Sequence, residues 1–143
     1  MTRTAHEAPR LYPTMRCRDP EAMIRWLVDV LGFAERVVYR HDGVVEHAEM
    51  AVDGSILMLG QARDDAYGAL VGSPEGRRTE ALYLAVDDVD ATHARVAATG
   101  CRIETPPRDT PYGSRECLFR DPEGGLWSCG TYRPRMGDAP LSG

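Results

Sequence analysis

The alternation of apolar and polar residues along the chain predicts two similar halves. Leu11 to Cys17 reads as a strand, and Asp19-Pro20 starts a helix that runs to about Leu31. Asp19 suits the capping position, where a side-chain oxygen accepts from free N–H groups, and Pro20 suits the first helical position. Met23, Ile24, Trp26, Leu27, Val30 and Leu31 form one helical stripe. Gly32 fits the left-handed residue that ends such a helix. Strands are predicted at 34–40, 44–52 and 55–60, with turns at His41-Asp42-Gly43 and Asp53-Gly54. Asp-Gly between two apolar runs is the stronger hairpin signal. Residues 61–78 are polar and Gly-rich with no period, and read as a linker between modules.

The pattern then starts again. Residues 81–86 form a strand, Asp87-Asp88 caps a helix to about Ala98, and Gly100 stops it. Strands follow at 102–104, 114–120 and 126–132, with the last turn spanning Asp121 to Gly125. Asp19 and Asp87, Gly32 and Gly100, and Asp53 and Asp121 each stand 68 positions apart, while Gly60 and Gly130 stand 70 apart. Strand, capped helix, glycine stop and three strands therefore occur twice. One such module leaves an apolar sheet face uncovered, so two are expected to pack as a unit. The expected organisation is a flexible arm (1–10), one domain (11–133, with modules 11–60 and 79–133), and a frayed tail (134–143) rich in Gly and Pro.

Composition narrows the function. The 143 residues suit one ordinary domain. The net charge of −5 speaks against nucleic acid, whose backbone calls for a Lys/Arg surplus, and against a polybasic membrane anchor. No apolar run approaches the roughly 18 residues of a membrane helix, and the first ten residues are polar, so a cytoplasmic location is expected. Cys17, Cys101, Cys117 and Cys129 form no CxxC pair and sit in apolar patterns, as small core residues in a reducing compartment would.

The stretch Tyr12 to Asp19, with Trp26-Leu27 through Leu31-Gly32-Phe33, resembles the opening module of glyoxalase-related proteins. Tyr112 to Glu116, then Arg120 to Ser128 and Gly130-Thr131-Tyr132, resemble the closing signature of bleomycin-resistance-like members of the vicinal-oxygen-chelate superfamily (glyoxalases, bleomycin resistance proteins and extradiol dioxygenases). The resemblance covers about residues 11–133. It implies an α+β fold of two tandem βαβββ modules, a curved mixed sheet around a central cavity, helices outside. It also implies a homodimer, and, for the enzymes, a divalent metal held between modules by His, Glu or Gln at four slots. Those slots lie in the first and fourth strand of each module.

Counting from the helix-starting Asp residues and the final hairpins places the slots at Tyr12, Met58, Ala81 and Ser128. Tyrosine and serine are poor neutral ligands, a thioether suits soft metals, and alanine cannot bind at all. No metal and no other cofactor is expected on this reading. A slip of one residue would bring in Glu80, but it would also turn the side chain to the opposite face. Leu82, Leu84 and Val86 look like the helix-packed side, which leaves Ala81, Tyr83 and Ala85 on the other.

Other candidates come from strand alternation. His47 and Glu49 share one face of the third strand, opposite Ala48, Met50 and Val52. They read as solvated residues, as pocket lining, or as a shifted metal or acid–base pair. Of Arg115 and Glu116, adjacent on a strand, only one can face a cavity. An inward Arg115 would grip a carboxylate or phosphonate with its planar fork, and an outward one would form a surface pair. Tyr112 precedes that strand in a Pro-Tyr-Gly turn and suits stacking on a planar ligand or a turn at an interface. Trp26 and Trp127 fit apolar faces and are assigned to the core. His6, His41 and His93 join no cluster, and the Asp121 turn is explained as a hairpin. No P-loop, dinucleotide fingerprint or nucleophile elbow is present.

Two functions follow. The first is metal-free binding or sequestration of a small aromatic or amphipathic molecule, such as an antibiotic. Its lining would be Tyr12, Thr14, Arg16, Met58, Tyr83 and Ser128, with His47, Glu49, Tyr112, Arg115 and Glu116 as further ligand-binding candidates. The second is a lyase, isomerase or dioxygenase acting on a small oxygenated substrate. It would use a metal site built on His47, Glu49 or Glu80, or acid–base side chains alone. No catalytic residue is assigned from the sequence.

Overall fold

A computed structural model describes residues 9–72, 80–135 and 137. The chain divides into two compact units, Met1–Glu75 and Gly76–Gly143. The first holds β1 (Thr14–Cys17), α1 (Pro20–Leu31), β2 (Ala34–His41), β3 (Val44–Val52), β4 (Ser55–Gln61) and α2 (Ala66–Val71). The second holds β5 (Leu82–Ala85), α3 (Val89–Ala98), β6 (Ile103–Asp109), β7 (Arg115–Arg120) and β8 (Leu126–Gly130). Each unit is a four-stranded mixed sheet with the same order, β1-β4-β3-β2 and β5-β8-β7-β6. The first strand of each runs parallel to the last, and the remaining pairs are antiparallel. The class is α+β, as the doubled pattern predicts.

Local chemistry explains the elements. Asp19 accepts from the Ala22 N–H at 3.1 Å, Pro20 follows it, and Gly32 closes α1 with φ +79°. The stripe Met23, Ile24, Trp26, Leu27, Val30 and Leu31 is buried, facing Cys17, Ala48, Met50, Leu57 and Leu59 of the sheet. In the second unit Asp88 caps α3 by accepting from the Ala91 N–H at 3.0 Å. Its buried face is sparser: Val89, Thr92 and Val96 lie over Cys117, Phe119, Trp127 and Cys129. Trp26 and Trp127 are both core, and three of the four cysteines are buried, with Cys101 partly so. Burial pushes the Cys129 thiol up to about 12.

Several expectations need correction. The helix cap of the second unit is Asp88, so the capping residues stand 69 positions apart rather than 68. Asp53 and Asp121 are not equivalent: Asp53 is an exposed turn residue with φ +50°, whereas Asp121 is buried. The linker is not structureless, because Gln61 extends β4 and residues 66–71 form α2, capped by Asp65 on the Gly68 N–H at 2.7 Å. β6 runs through Pro106 and Pro107 to Asp109. An edge strand tolerates proline, and the pairing to β7 skips between Thr105 and Arg108 to accommodate them. β1 begins at Thr14 and β8 stops at Gly130, shorter than predicted. The arm falls outside the described residues at 1–8, the linker at 73–79, and the tail at 136 and 138–143.

Candidate functional site

In each unit one sheet face packs on its long helix, and the candidate residues gather on the other. In the first unit the ladder puts Thr14 opposite Met58, Arg16 opposite Gly60, and Glu49 opposite Met58. His47 lies two residues before Glu49 and therefore shares its face. The His47 Nε2 stands 2.9 Å from one Glu49 oxygen, and Arg36 donates to the other at 2.9 Å. Tyr39 stacks on the imidazole with ring centroids 6.2 Å apart. The sequence pattern singles out His47 and Glu49 but misses Arg36 and Tyr39, which belong to the neighbouring strand.

The bond from His47 and the charge of Arg36 hold the Glu49 carboxyl below its usual range. A group lowered in this way adds stability that is present above its unfolded value. That stability is lost as pH falls through the folded value. Side-chain NMR of Glu49 should therefore show a midpoint below the ordinary glutamate value of about 4.3. The midpoint should rise in His47→Ala. An unchanged midpoint in that variant would mean that the imidazole does not hold the carboxylate.

Arg16 reaches α2. Its Nη1 and Nη2 face the two Asp65 oxygens at 3.5 and 3.4 Å, and its guanidinium lies 4.6 Å from the centre of the Tyr67 ring. Asp65 is lowered chiefly by the Gly68 N–H, with Arg16 adding to it. Neither Asp65 nor Tyr67 is singled out by the sequence pattern. The signal is present as a capping Asp before a short apolar run, but Gly68 and Gly72 obscure the period. Tyr12 lies ahead of β1, which holds Thr14 and Arg16, and donates to the Pro9 carbonyl at 2.7 Å.

In the second unit Tyr83 lies opposite Ser128, and Glu116 opposite Gly130, all on the face away from α3. Tyr112 donates to Glu116 at 2.8 Å, and Tyr83 donates to the Tyr132 carbonyl at 2.6 Å. Tyr112 meets Tyr132 edge to face at 6.3 Å. Burial raises the Tyr83 hydroxyl above its usual range, and the bond to Glu116 raises Tyr112. Of the adjacent pair, Glu116 is the residue that joins this group.

Arg115 does not join it. It points to the α3 side, where it binds Asp90 at 2.8 and 2.9 Å and Asp109 at 3.1 Å. Two carboxylates already occupy its fork, so of the two readings left open for Arg115 the geometry matches the outward ion pair. His41 pairs with the neighbouring Asp42 at 3.4 Å. His6 lies outside the described residues.

The four metal slots can be tested by donor chemistry. Two of the residues found by counting, Tyr12 and Ala81, precede their strands. The residues that actually face Met58 and Ser128 on the parallel ladders are Thr14 and Tyr83. Neither set contains an imidazole or a carboxylate, so the residues do not fit a divalent ion at these positions. Glu80 is exposed and ahead of β5. Among the described residues, no group of three or more His, Cys, Asp or Glu is placed to hold a metal.

Comparison with known proteins agrees with this architecture. The model of the Glyoxalase/Bleomycin resistance protein/Dioxygenase superfamily matches residues 10–128. The crystal structure of TioX from Micromonospora sp. ML1 superposes with a TM-score of 0.69 at 29% identity, covering 86% of this chain and 98% of that one. TnmS3, an antibiotic binding protein from a Streptomyces species, superposes at 0.59 with 22% identity, covering 82% and 90%. A stretch of 47 residues is 43% identical to CFP32 of Mycobacterium bovis, whose name marks it as a candidate glyoxylase. That stretch is 33% of this chain and spans only 18% of the relative.

Proposed function

Since the chain belongs to the glyoxalase/bleomycin resistance protein/dioxygenase superfamily, we propose that it serves as a metal-free binder of a small aromatic or amphipathic molecule such as an antibiotic. Membership of the bleomycin-resistance-like branch is part of this proposal. One observation carries the reading: the positions that would grip an ion hold Thr14 or Tyr12, Met58, Tyr83 or Ala81, and Ser128. These are groups that pack, stack and hydrogen-bond. On the same sheet face, the first unit adds Arg16, His47 and Glu49, and the second unit, taken by itself, adds Glu116 and the Tyr112 bonded to it. The name of TnmS3 as an antibiotic binding protein on the same fold supports the reading. A cytoplasmic homodimer is part of the proposal; no described helix is long and apolar enough to cross a membrane.

A second reading draws on a specific observation. Arg36, Glu49 and His47 form a chain in which a carboxylate orients an imidazole, the arrangement of a general base. It would serve a lyase, isomerase or dioxygenase.

Elemental analysis and ligand-dependent melting separate the two. The expected result is no stoichiometric divalent metal, together with a raised melting temperature with at least one planar antibiotic. Ligand at 100 times its Kd adds about 2.7 kcal/mol. A stoichiometric metal that disappears in His47→Ala or Glu49→Ala would overturn the binding role in favour of chemistry. Absence of a melting shift across the antibiotics would also count against it.

A further inference from the structure

Arg16 combines a long pairing with enclosure, whereas Arg63, which stands 3.8 Å from Glu46, is 38% exposed and two other arginines of the first unit pair closely. Arg40 meets Glu21 at 2.8 Å twice, and Arg36 meets Glu49 at 2.9 Å. Those are ordinary charge-assisted lengths. Arg16 faces Asp65 fork to fork, yet at 3.4 and 3.5 Å. The reason is that Asp65 is held in place by α2, where its Oδ1 takes the Gly68 N–H at 2.7 Å and caps the helix. The carboxylate is thus anchored to the helix and stands off from the guanidinium. Arg16 is nevertheless only 18% exposed, on β1 beside the bare backbone of Gly60, with one face of its plane toward Tyr67. An arginine so enclosed gains from a carboxylate that can approach to full hydrogen-bond length.

The geometry points to Arg16 as the residue that selects the ligand, with the ligand a carboxylate-bearing aromatic and Asp65 a resident stand-in that the ligand's carboxylate displaces. The stand-in itself indicates the chemistry. Each of the two terminal guanidinium nitrogens already faces one oxygen of a planar pair, which a ligand carboxylate reproduces. Tyr67, 44% exposed, offers a ring beside the same point. No residue of α2 is buried, so its polar tie to β1 runs through Arg16. Displacing Asp65 therefore loosens α2 from the sheet. This inference rests on the binding role proposed above and adds to it the charge of the ligand.

The test compares 2-naphthoate with its neutral counterpart 2-naphthamide by calorimetry. Wild-type protein should prefer the acid by roughly tenfold or more, as a bond to a charged group implies. Arg16→Gln should bring the ratio of acid to amide affinity to about one, and an unchanged ratio would overturn selection by Arg16. Asp65→Asn keeps a good helix cap but removes the competing charge, and should bind the acid several-fold tighter than wild type. Naphthoate, and not the amide, should also shift the backbone resonances of residues 65–71. Equal affinity for acid and amide in wild type overturns selection by Arg16 and leaves the binding role standing. So does unchanged or weaker acid binding in Asp65→Asn. Binding of neither compound overturns the inference, while the antibiotic melting series decides the binding role separately.

Discussion

Replacing Asp121 by alanine should cost the fold about 3 kcal/mol, more than a hairpin turn would suggest. The carboxylate is 6% exposed and accepts three bonds. Oδ1 takes the N–H groups of Glu123 at 2.8 Å and Gly125 at 2.9 Å, and Oδ2 takes the Trp127 indole N–H at 2.8 Å. The indole bond lies in the core, so alanine leaves a buried donor unsatisfied and opens a hole beside it. Denaturant titration should show the loss, with a fall of about 10 °C in melting temperature. A cost below about 0.5 kcal/mol would refute the assignment. Asp121→Asn keeps an acceptor oxygen and should lose less. Burial raises the Asp121 carboxyl, with the indole and backbone donors pulling it back. The folded chain thus holds this proton to a higher pH than the unfolded chain. The group's contribution is greatest below the ordinary aspartate value of about 3.9 and declines as pH rises through the raised one. The asparagine variant should lack that slope.

Gly60→Ala should cost about 2–3 kcal/mol, and Gly130→Ala only about 1 kcal/mol, although the two occupy matching places in the repeat. A Cβ on Gly60 would stand 2.5 Å from the Glu46 carbonyl oxygen and 3.3 Å from its carbon. That carbonyl is backbone. It is turned toward Gly60 because β3 carries an extra residue there: Tyr39 pairs with His47, and the next residue, Arg40, with Val45. Relief would require moving β3 and everything paired to it. A Cβ on Gly130 would instead meet the Tyr83 hydroxyl at 2.5 Å, the Glu116 Cγ at 2.8 Å and the Tyr83 ring at 3.1 Å, all side-chain atoms that can move by rotamer change without shifting a strand. Its effect should appear in ligand binding, because Tyr83 and Glu116 belong to the candidate site. Melting curves of the two variants decide the point, and equal losses would refute the distinction between backbone and side-chain obstruction.

Much of the site was legible in the sequence for one reason: a strand alternates its faces. His47 with Glu49, Thr14 with Arg16, and Tyr83 opposite the Leu82 and Leu84 side all follow from that period. Where a partner sits on another element, alternation has nothing to say. Arg115 illustrates it. Its sequence neighbours allow either face, and only the approach of Asp90 from α3 and Asp109 from β6 determines which. Asp121 is the same case within a turn, because nothing local announces that an indole six residues on will close over it.

The chain's own pattern determined the two βαβββ units, the caps and glycine stops of their long helices, and the core faces of α1 and α3. These depend on spacing and on the chemistry of single side chains, both of which are local. The tertiary structure alone decided that β1 and β5 lie parallel beside β4 and β8 in the registers seen, that Asp65 and Tyr67 come to Arg16, and that Arg36 and Tyr39 complete the His47–Glu49 group. Such meetings join residues as far apart as Arg16 and Tyr67. They arise from how strands stack and where a short helix lands, and no periodicity along one segment encodes them.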